Sequence, residues 1–291
     1  MFTGVITALV TPFKNQKVDL DSLDKLVRWQ LDQGVDGFVV NGTTAESPTL
    51  TTEEVEVIWK RVKSIVPPGF PLLLGTGTNC TRSTITNTQK AVALGASGAL
   101  VVVPYYNKPP QEGLYEHFCQ VANAVKDLPI LLYNVPGRTV ISMSAETTAR
   151  LSAIKNIVGI KEASGDMQLG QHIVSQCPSE FTVTSGDDFS CIELMTLGAK
   201  GVISVISHII PKELKTISLK ACEGDRTAQS EYSKYNDLNR WLFCEPNPIP
   251  VKMALHMMGI IAEPEVRLPL VKMTSTNSQQ LKSSMQQLGV L

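Results

Sequence analysis

The sequence predicts a (β/α)8 TIM barrel with a C-terminal helical extension, and three observations carry that expectation. Short β-branched runs alternate with stretches of helical period along most of the chain. The runs are nearly continuous in apolar residues, as parallel strands covered on both faces require. Eight such strand–helix units fit within about 210 residues, which suits a closed barrel better than the doubly wound alternative.

Strands are expected at residues 5–10, 37–40, 71–75, 99–103, 130–133, 157–161, 181–185 and 201–205. Between the first two, Asp21 is a candidate cap for a helix whose apolar face is Leu23, Leu26, Val27 and Leu31, with Gly34 as its stop. Thr51-Thr52-Glu53-Glu54 has the pattern of a capping box, and Val55, Ile58, Val62 and Val66 follow on one side. Leu114, Phe118, Val121, Ala122 and Val125 repeat that pattern after the fourth strand. From about Glu223 the strand signal fades, and helices are expected over 230–243, 250–258 and 277–288. The run Glu245-Pro246-Asn247-Pro248-Ile249-Pro250 interrupts them and has the composition of a rigid connector, with lining a ligand site as the lesser alternative. The expected division is a catalytic barrel over 1–222 and a helical domain over 223–291.

Composition narrows the function. At 291 residues, with 43% hydrophobic and 18% charged, the chain has the make-up of a soluble globular enzyme rather than a disordered one. The net charge of −1 and the scattered Lys and Arg leave no basic stripe for nucleic acid. The N-terminal Met1-Phe2-Thr3-Gly4-Val5-Ile6 lacks a basic leader region and suits a first strand better than a signal peptide. The longest charge-free stretch lies between Lys90 and Lys108, and Gly95, Gly98 and Pro104 break it, so no membrane span is expected. Six cysteines without a C-x-x-C pair suit reduced thiols in a cytoplasmic protein. Four histidines lack metal-ligand spacing, and Cys80 occupies the third glycine position after Gly75-Thr76-Gly77, so neither a metal nor a dinucleotide cofactor is expected.

Reactive groups of such a barrel belong where strands end and βα loops begin. Lys161 stands at one of these ends, after Ile157-Val158-Gly159-Ile160. Apolar surroundings disfavour an ammonium and free some amine as a nucleophile, which suits Schiff-base formation with a ketone. Tyr133 closes the preceding strand 28 residues earlier, about one βα unit, so phenol and amine can face one substrate atom. Gly42-Thr43-Thr44 offers backbone N–H groups and hydroxyls to a carboxylate, and Arg138 offers a bidentate fork to a second one. Each residue taken alone has a plainer explanation: a solvated strand end, a packed ring, an ordinary Gly-Thr turn, a surface arginine. Asp187-Asp188 after the seventh strand argues against a phosphorylated substrate.

Five blocks in order carry a resemblance. Gly42-Thr43-Thr44-Ala45-Glu46, Pro104-Tyr105-Tyr106-Asn107-Lys108-Pro109, Tyr133-Asn134-Val135-Pro136-Gly137-Arg138-Thr139, Gly159-Ile160-Lys161-Glu162-Ala163 and Glu245-Pro246-Asn247-Pro248-Ile249-Pro250-Val251-Lys252 together resemble the dihydrodipicolinate synthase family over essentially the whole chain. The resemblance implies a class I aldolase-type condensation of pyruvate with L-aspartate 4-semialdehyde, in lysine and diaminopimelate biosynthesis. It makes Lys161 the Schiff-base residue, Tyr133 the proton donor and acceptor, and Thr43 and Tyr106 a hydroxyl relay, with Tyr106 reaching into a neighbouring subunit's site. Thr44 would bind the pyruvate carboxylate, the backbone at Ile203 would contact pyruvate, and Arg138 would orient the semialdehyde with Gly186 nearby. A homo-oligomer, a dimer of dimers, is implied. Thr52, Val55 and Ser83 depart from the histidines and acidic residue of lysine-sensitive members, while Ser47, Asn79 and Tyr105 are kept, so feedback inhibition by L-lysine is expected to be weak or absent.

Two rivals remain. A sister enzyme such as N-acetylneuraminate lyase or a 2-keto-3-deoxy sugar acid aldolase shares the lysine and tyrosine, although Arg138, Thr43-Thr44 and the Glu245–Lys252 segment favour the synthase. A catalytically silent small-molecule sensor would keep the barrel and discard the nucleophile. A flavin or nicotinamide oxidoreductase is more distant, because no segment offers a nucleotide site.

Overall fold

A computed structural model describes residues 1–291. Eight strands close a parallel barrel: β1 Gly4–Ala8, β2 Gly37–Val40, β3 Leu72–Gly75, β4 Gly98–Val102, β5 Ile130–Asn134, β6 Ile157–Glu162, β7 Thr182–Ser185 and β8 Gly201–Ser204. Each pairs with its neighbours in chain order, and β1 meets both β2 and β8 to close the ring. The apolar runs therefore mark the strands to within two residues at either end. Their near-continuous burial follows from the two cores that they separate.

The outer core lies between the strands and a ring of helices: α1 Leu20–Asp32, α2 Thr52–Ile65, α3 Thr81–Ala93, α4 Gln111–Ala124, α5 Ala145–Ser152, α6 Met167–Gln176, α7 Cys191–Thr196 and α8 Pro211–Cys222. The inner core is a smaller cluster inside the barrel, in which Ile6, Val39, Leu73, Leu100, Leu131 and Ile203 meet. Strand alternation places these residues inside and their neighbours outside.

One local expectation needs correction. Asp19, not Asp21, caps α1, accepting from the Ser22 N–H, while Asp21 lies within the first turn. A carboxylate just inside a helix suits the positive end of its dipole, so both positions attract an acidic residue and sequence alone does not separate them. The capping box is present, with Thr51 and Glu54 bonded reciprocally at the start of α2. An antiparallel pair, Phe13–Lys14 with Lys17–Val18, was not anticipated and fills the first βα loop.

After the barrel come α9 Thr227–Ser233, α10 Asn236–Leu242, α11 Ile249–Met257 and α12 Ser275–Gln287. The single helix expected at 230–243 is broken at Lys234-Tyr235. The break lets Tyr232 and Asn239 converge on one point past the C-terminal end of β7: the Tyr232 hydroxyl donates to the Asp188 carbonyl at 2.8 Å, and Asn239 Nδ2 donates to that hydroxyl at 3.0 Å. Tyr232, Leu238, Leu242, Val251, Leu281 and Met285 belong to the same outer core as the barrel helices. No helix is long and apolar enough to cross a membrane.

Candidate active site

Strand register builds the centre of the site. Val102, Tyr133, Lys161 and Thr184 form one rung across β4, β5, β6 and β7, with Tyr133 opposite Lys161. The Lys161 ammonium lies 4.4 Å from the centroid of the Tyr133 ring. Both side chains are buried, Lys161 at 7% and Tyr133 at 6% exposure. Lys161 has no ion-pair partner within 4.0 Å. No carboxylate competes for its nitrogen, so the amine, once deprotonated, has its lone pair free for a carbonyl carbon.

The next rung stiffens the strand ends. Glu162, opposite Asn134, accepts from Asn134 Nδ2 at 2.8 Å and from the Ser164 N–H at 2.6 Å. Burial pushes its carboxyl up, against the pull of those two donors. Asn134 Oδ1 accepts the Met143 N–H at 2.9 Å, so the loops after β5 and β6 are tied together at the base of the reactive pair.

Gly186 follows β7 beside the lysine. A Cβ there would lie 2.6 Å from Lys161 Cε and 2.8 Å from its Cγ, so only a glycine leaves the lysine stem its path. Ile203 is buried in β8 and belongs to the inner core with Tyr133. Thr43 and Thr44 open a short turn after β2 in which the Ala45 N–H bonds the Gly42 carbonyl and the Glu46 N–H bonds that of Thr43. The amides that open such a turn have no partner inside it and suit an anionic group. Thr43, Tyr133 and Arg138 line one cavity of about 420 Å³, within the range of small-molecule sites. The cavity continues outward between α2 and α3, where Leu50, Thr52 and Val55 line it.

Tyr106 is not part of that lining. Its ring is 86% exposed and its backbone has φ of +75°, a strained value for a residue with a side chain, while its neighbour Tyr105 lines the cavity. The structure thus sets Gly186 and Ile203 beside the Lys161–Tyr133 pair and lines the adjoining cavity with Thr43 and Arg138, while Thr44 lies buried in the turn after β2 and Tyr106 projects from the chain.

Three contributions were not read from the sequence. Asn247, within the proline-rich connector, donates from Nδ2 to Thr44 Oγ1 at 3.0 Å, and its carbonyl accepts from Arg138 Nη2 at 3.5 Å. A polar residue between two prolines was the available signal. Glu46 sits in left-handed conformation directly behind Thr44 and forms a fully buried ion pair with Lys252 of α11. Burial pulls Lys252 down to about 8, against the attraction of Glu46, and the ammonium lies 4.1 Å from the Phe13 ring centroid. Asp188 is the third. Its Oδ2 accepts the Val205 and Ile206 N–H groups at 2.8 and 2.9 Å, holding the loop after β8. The acidic pair is therefore spent on structure, with Asp187 bonded to Ser190, and speaks less directly to substrate charge than its position suggested.

A buried lysine beside a tyrosine at the mouth of a parallel barrel, with flanking groups for carboxylates, defines a lyase of the Schiff-base-forming class I aldolase type. Comparison with known proteins narrows this. The Dihydrodipicolinate synthetase family matches residues 1–288, and the chain belongs to that family. The 4-hydroxy-tetrahydrodipicolinate synthase of Bdellovibrio bacteriovorus is 51% identical over 100% of this chain and 99% of its own length. The crystal structure of dihydrodipicolinate synthase from Thermotoga maritima superimposes with a TM-score of 0.97 at 44% identity, covering all of both chains. The chloride-inhibited dihydrodipicolinate synthase from Acinetobacter baumannii, solved in complex with pyruvate, gives 0.97 at 43% identity, again over both whole chains.

Proposed function

We propose that this chain is a 4-hydroxy-tetrahydrodipicolinate synthase, condensing pyruvate with L-aspartate 4-semialdehyde through a Schiff base on Lys161, in lysine and diaminopimelate biosynthesis. The observation that carries this reading is the unpaired, buried Lys161 in register with Tyr133. Lys161 Nζ attacks the pyruvate ketone carbon, and the carbinolamine loses water to give an imine. Tyr133 exchanges the protons that these steps require, with Thr43 and the Tyr106 of a second copy relaying them. Loss of a methyl proton gives an enamine, whose carbon attacks the semialdehyde's aldehyde. The substrate's own amine then adds to the imine carbon and expels Lys161, closing the ring.

Thr44 and the backbone at Ile203 hold pyruvate, and Arg138 holds the semialdehyde carboxylate. Gly186 keeps the floor of the site open. Residues 1–222 supply these groups, and the helical part over 223–291 reaches back through Asn247. The 86% exposed Tyr106 ring supports an assembly in which one copy's ring completes another copy's site; our reading is a homo-oligomer, a dimer of dimers, in the cytoplasm. Thr52 and Val55 line the outer cavity, beside Glu56 and Lys90, and neither carries an imidazole, which supports weak or absent inhibition by L-lysine.

Two measurements test this. Borohydride reduction in the presence of pyruvate should add a stable adduct at Lys161 and none in Lys161→Ala; a wild type without adduct would end the Schiff-base reading. Pyruvate consumption should be rapid with L-aspartate 4-semialdehyde and absent with N-acetylmannosamine or glyceraldehyde. Turnover only with the sugar aldehydes would move the function to sugar-acid cleavage.

A further inference from the structure

Asn247 lies 203 residues from Thr44 in sequence, yet it touches both carboxylate-binding positions. It is 8% exposed, its Nδ2 donates to the Thr44 hydroxyl oxygen at 3.0 Å, and its carbonyl receives Arg138 Nη2 at 3.5 Å, the outer limit of a hydrogen bond. A threonine hydroxyl has one proton to give and lone pairs to accept with. With Asn247 occupying a lone pair of Thr44 Oγ1, the hydroxyl proton is turned away from Asn247 and left for another acceptor.

The segment carrying Asn247 is itself fixed. Lys252, five residues on, pairs with Glu46, two residues past Thr44, and both side chains are fully buried. Lys252 Nζ also donates to the Glu265 carbonyl at 2.7 Å, and Glu46 accepts the Arg267 N–H at 2.9 Å. Loop and connector are therefore joined at two points, one buried ion pair behind the threonine and one side-chain hydrogen bond upon it. An ion pair alone would fix their distance; the second tie sets the rotation of the Thr44 hydroxyl.

We propose that Asn247 is a positioning residue for carboxylate recognition, orienting the Thr44 hydroxyl as a donor to the keto acid's carboxylate and steadying Arg138 on the other side of the mouth. The inference rests on the Schiff-base reading of Lys161. Asn247 acts through Thr44, so its removal weakens capture of the keto acid more than it slows the chemistry that follows.

The test uses the full-length protein, with the yield of borohydride-trapped adduct followed against pyruvate concentration, beside KM and kcat in the complete reaction. Asn247→Ala should raise the half-saturating pyruvate concentration about tenfold, the loss expected for one hydrogen bond in the recognition of a charged group, while saturating pyruvate still labels Lys161 fully. Asn247→Asp keeps the shape but has no N–H to donate, so it should be at least as impaired. In a Thr44→Val background, Asn247→Ala should cost little more, because its target is already gone. Half-saturation within twofold of wild type in Asn247→Asp, or the full tenfold loss persisting in the Thr44→Val background, would overturn the proposal. If Asn247→Ala does not fold, Asn247→Asp decides alone. A wild type that forms no adduct overturns the Schiff-base reading and this inference with it; a wild-type adduct with unmoved half-saturation in the variants overturns this inference only.

Discussion

A methyl group at position 186 would overlap the stem of Lys161, at 2.6 Å from its Cε. Gly186→Ala is therefore expected to displace the amine rather than to unfold the barrel, and a misplacement near 1 Å costs about a hundredfold in rate. Steady-state kinetics and the melting temperature check this together: kcat/KM should collapse while the melting temperature stays near wild type. Tyr133→Phe keeps the ring against Lys161 and removes the hydroxyl, so turnover should fall by about a hundredfold or more. Retained turnover in that variant would show that the phenol carries no proton. Lys161 and Tyr133 were legible in the sequence because each closes an apolar run, and register does the rest. Asn247 was not, because its partners come from β2 and β5 loops far away in the chain, and no local pattern encodes such a return. Asp188 was legible as an acid at a strand end but not as a backbone acceptor, since direction is set by the neighbouring loop.

At the scale of elements, α11 is bound to the second βα loop by the buried pair of Lys252 and Glu46. Lys252→Met leaves the Glu46 carboxylate buried with only the Arg267 N–H to answer it, and breaking such a pair costs about 3–5 kcal/mol. The denaturation midpoint should fall accordingly, and adding Glu46→Gln should restore part of it by removing the stranded charge. A single variant as stable as wild type would show that water reaches the pair. The strands were placed within two residues because period and β-branching agree there. The last two C-terminal helices fall within two residues of expectation as well, and only the first does not: the break between α9 and α10 answers to Asp188, a tertiary partner, and helical periodicity runs through it unchanged.

For the whole molecule, a neutral imidazole sits at the seam where β1 and β8 close the barrel. His208 Nε2 accepts the Val10 N–H at 3.3 Å and its Nδ1 meets the Val205 carbonyl at 2.9 Å, spanning the ends of β1 and β8. Burial pulls its pKa down to about 4, and does the same to His117 between α3 and α4. The unfolded chain takes up these protons near pH 6.5, the folded chain only near 4, so acid favours unfolding. Stability should be complete above about 6.5 and decline as pH falls toward 4, on the order of 3 kcal/mol for each histidine. Denaturant titrations at pH 7 and pH 4.5 check the sign, and His208→Gln should flatten part of the slope. Closure itself was legible from eight evenly spaced runs, whereas the histidine bridge joins residues 198 apart and has no sequence signature. The projecting Tyr106 has a different consequence, one of inheritance. If each ring serves a neighbour's lysine, a chain lacking Lys161 can lend its tyrosine, and a chain lacking the Tyr106 hydroxyl can supply the lysine. Two separately dead alleles, Lys161→Ala and Tyr106→Phe, should then rescue each other in one cell, returning roughly a quarter of normal activity from random pairing across a two-fold interface.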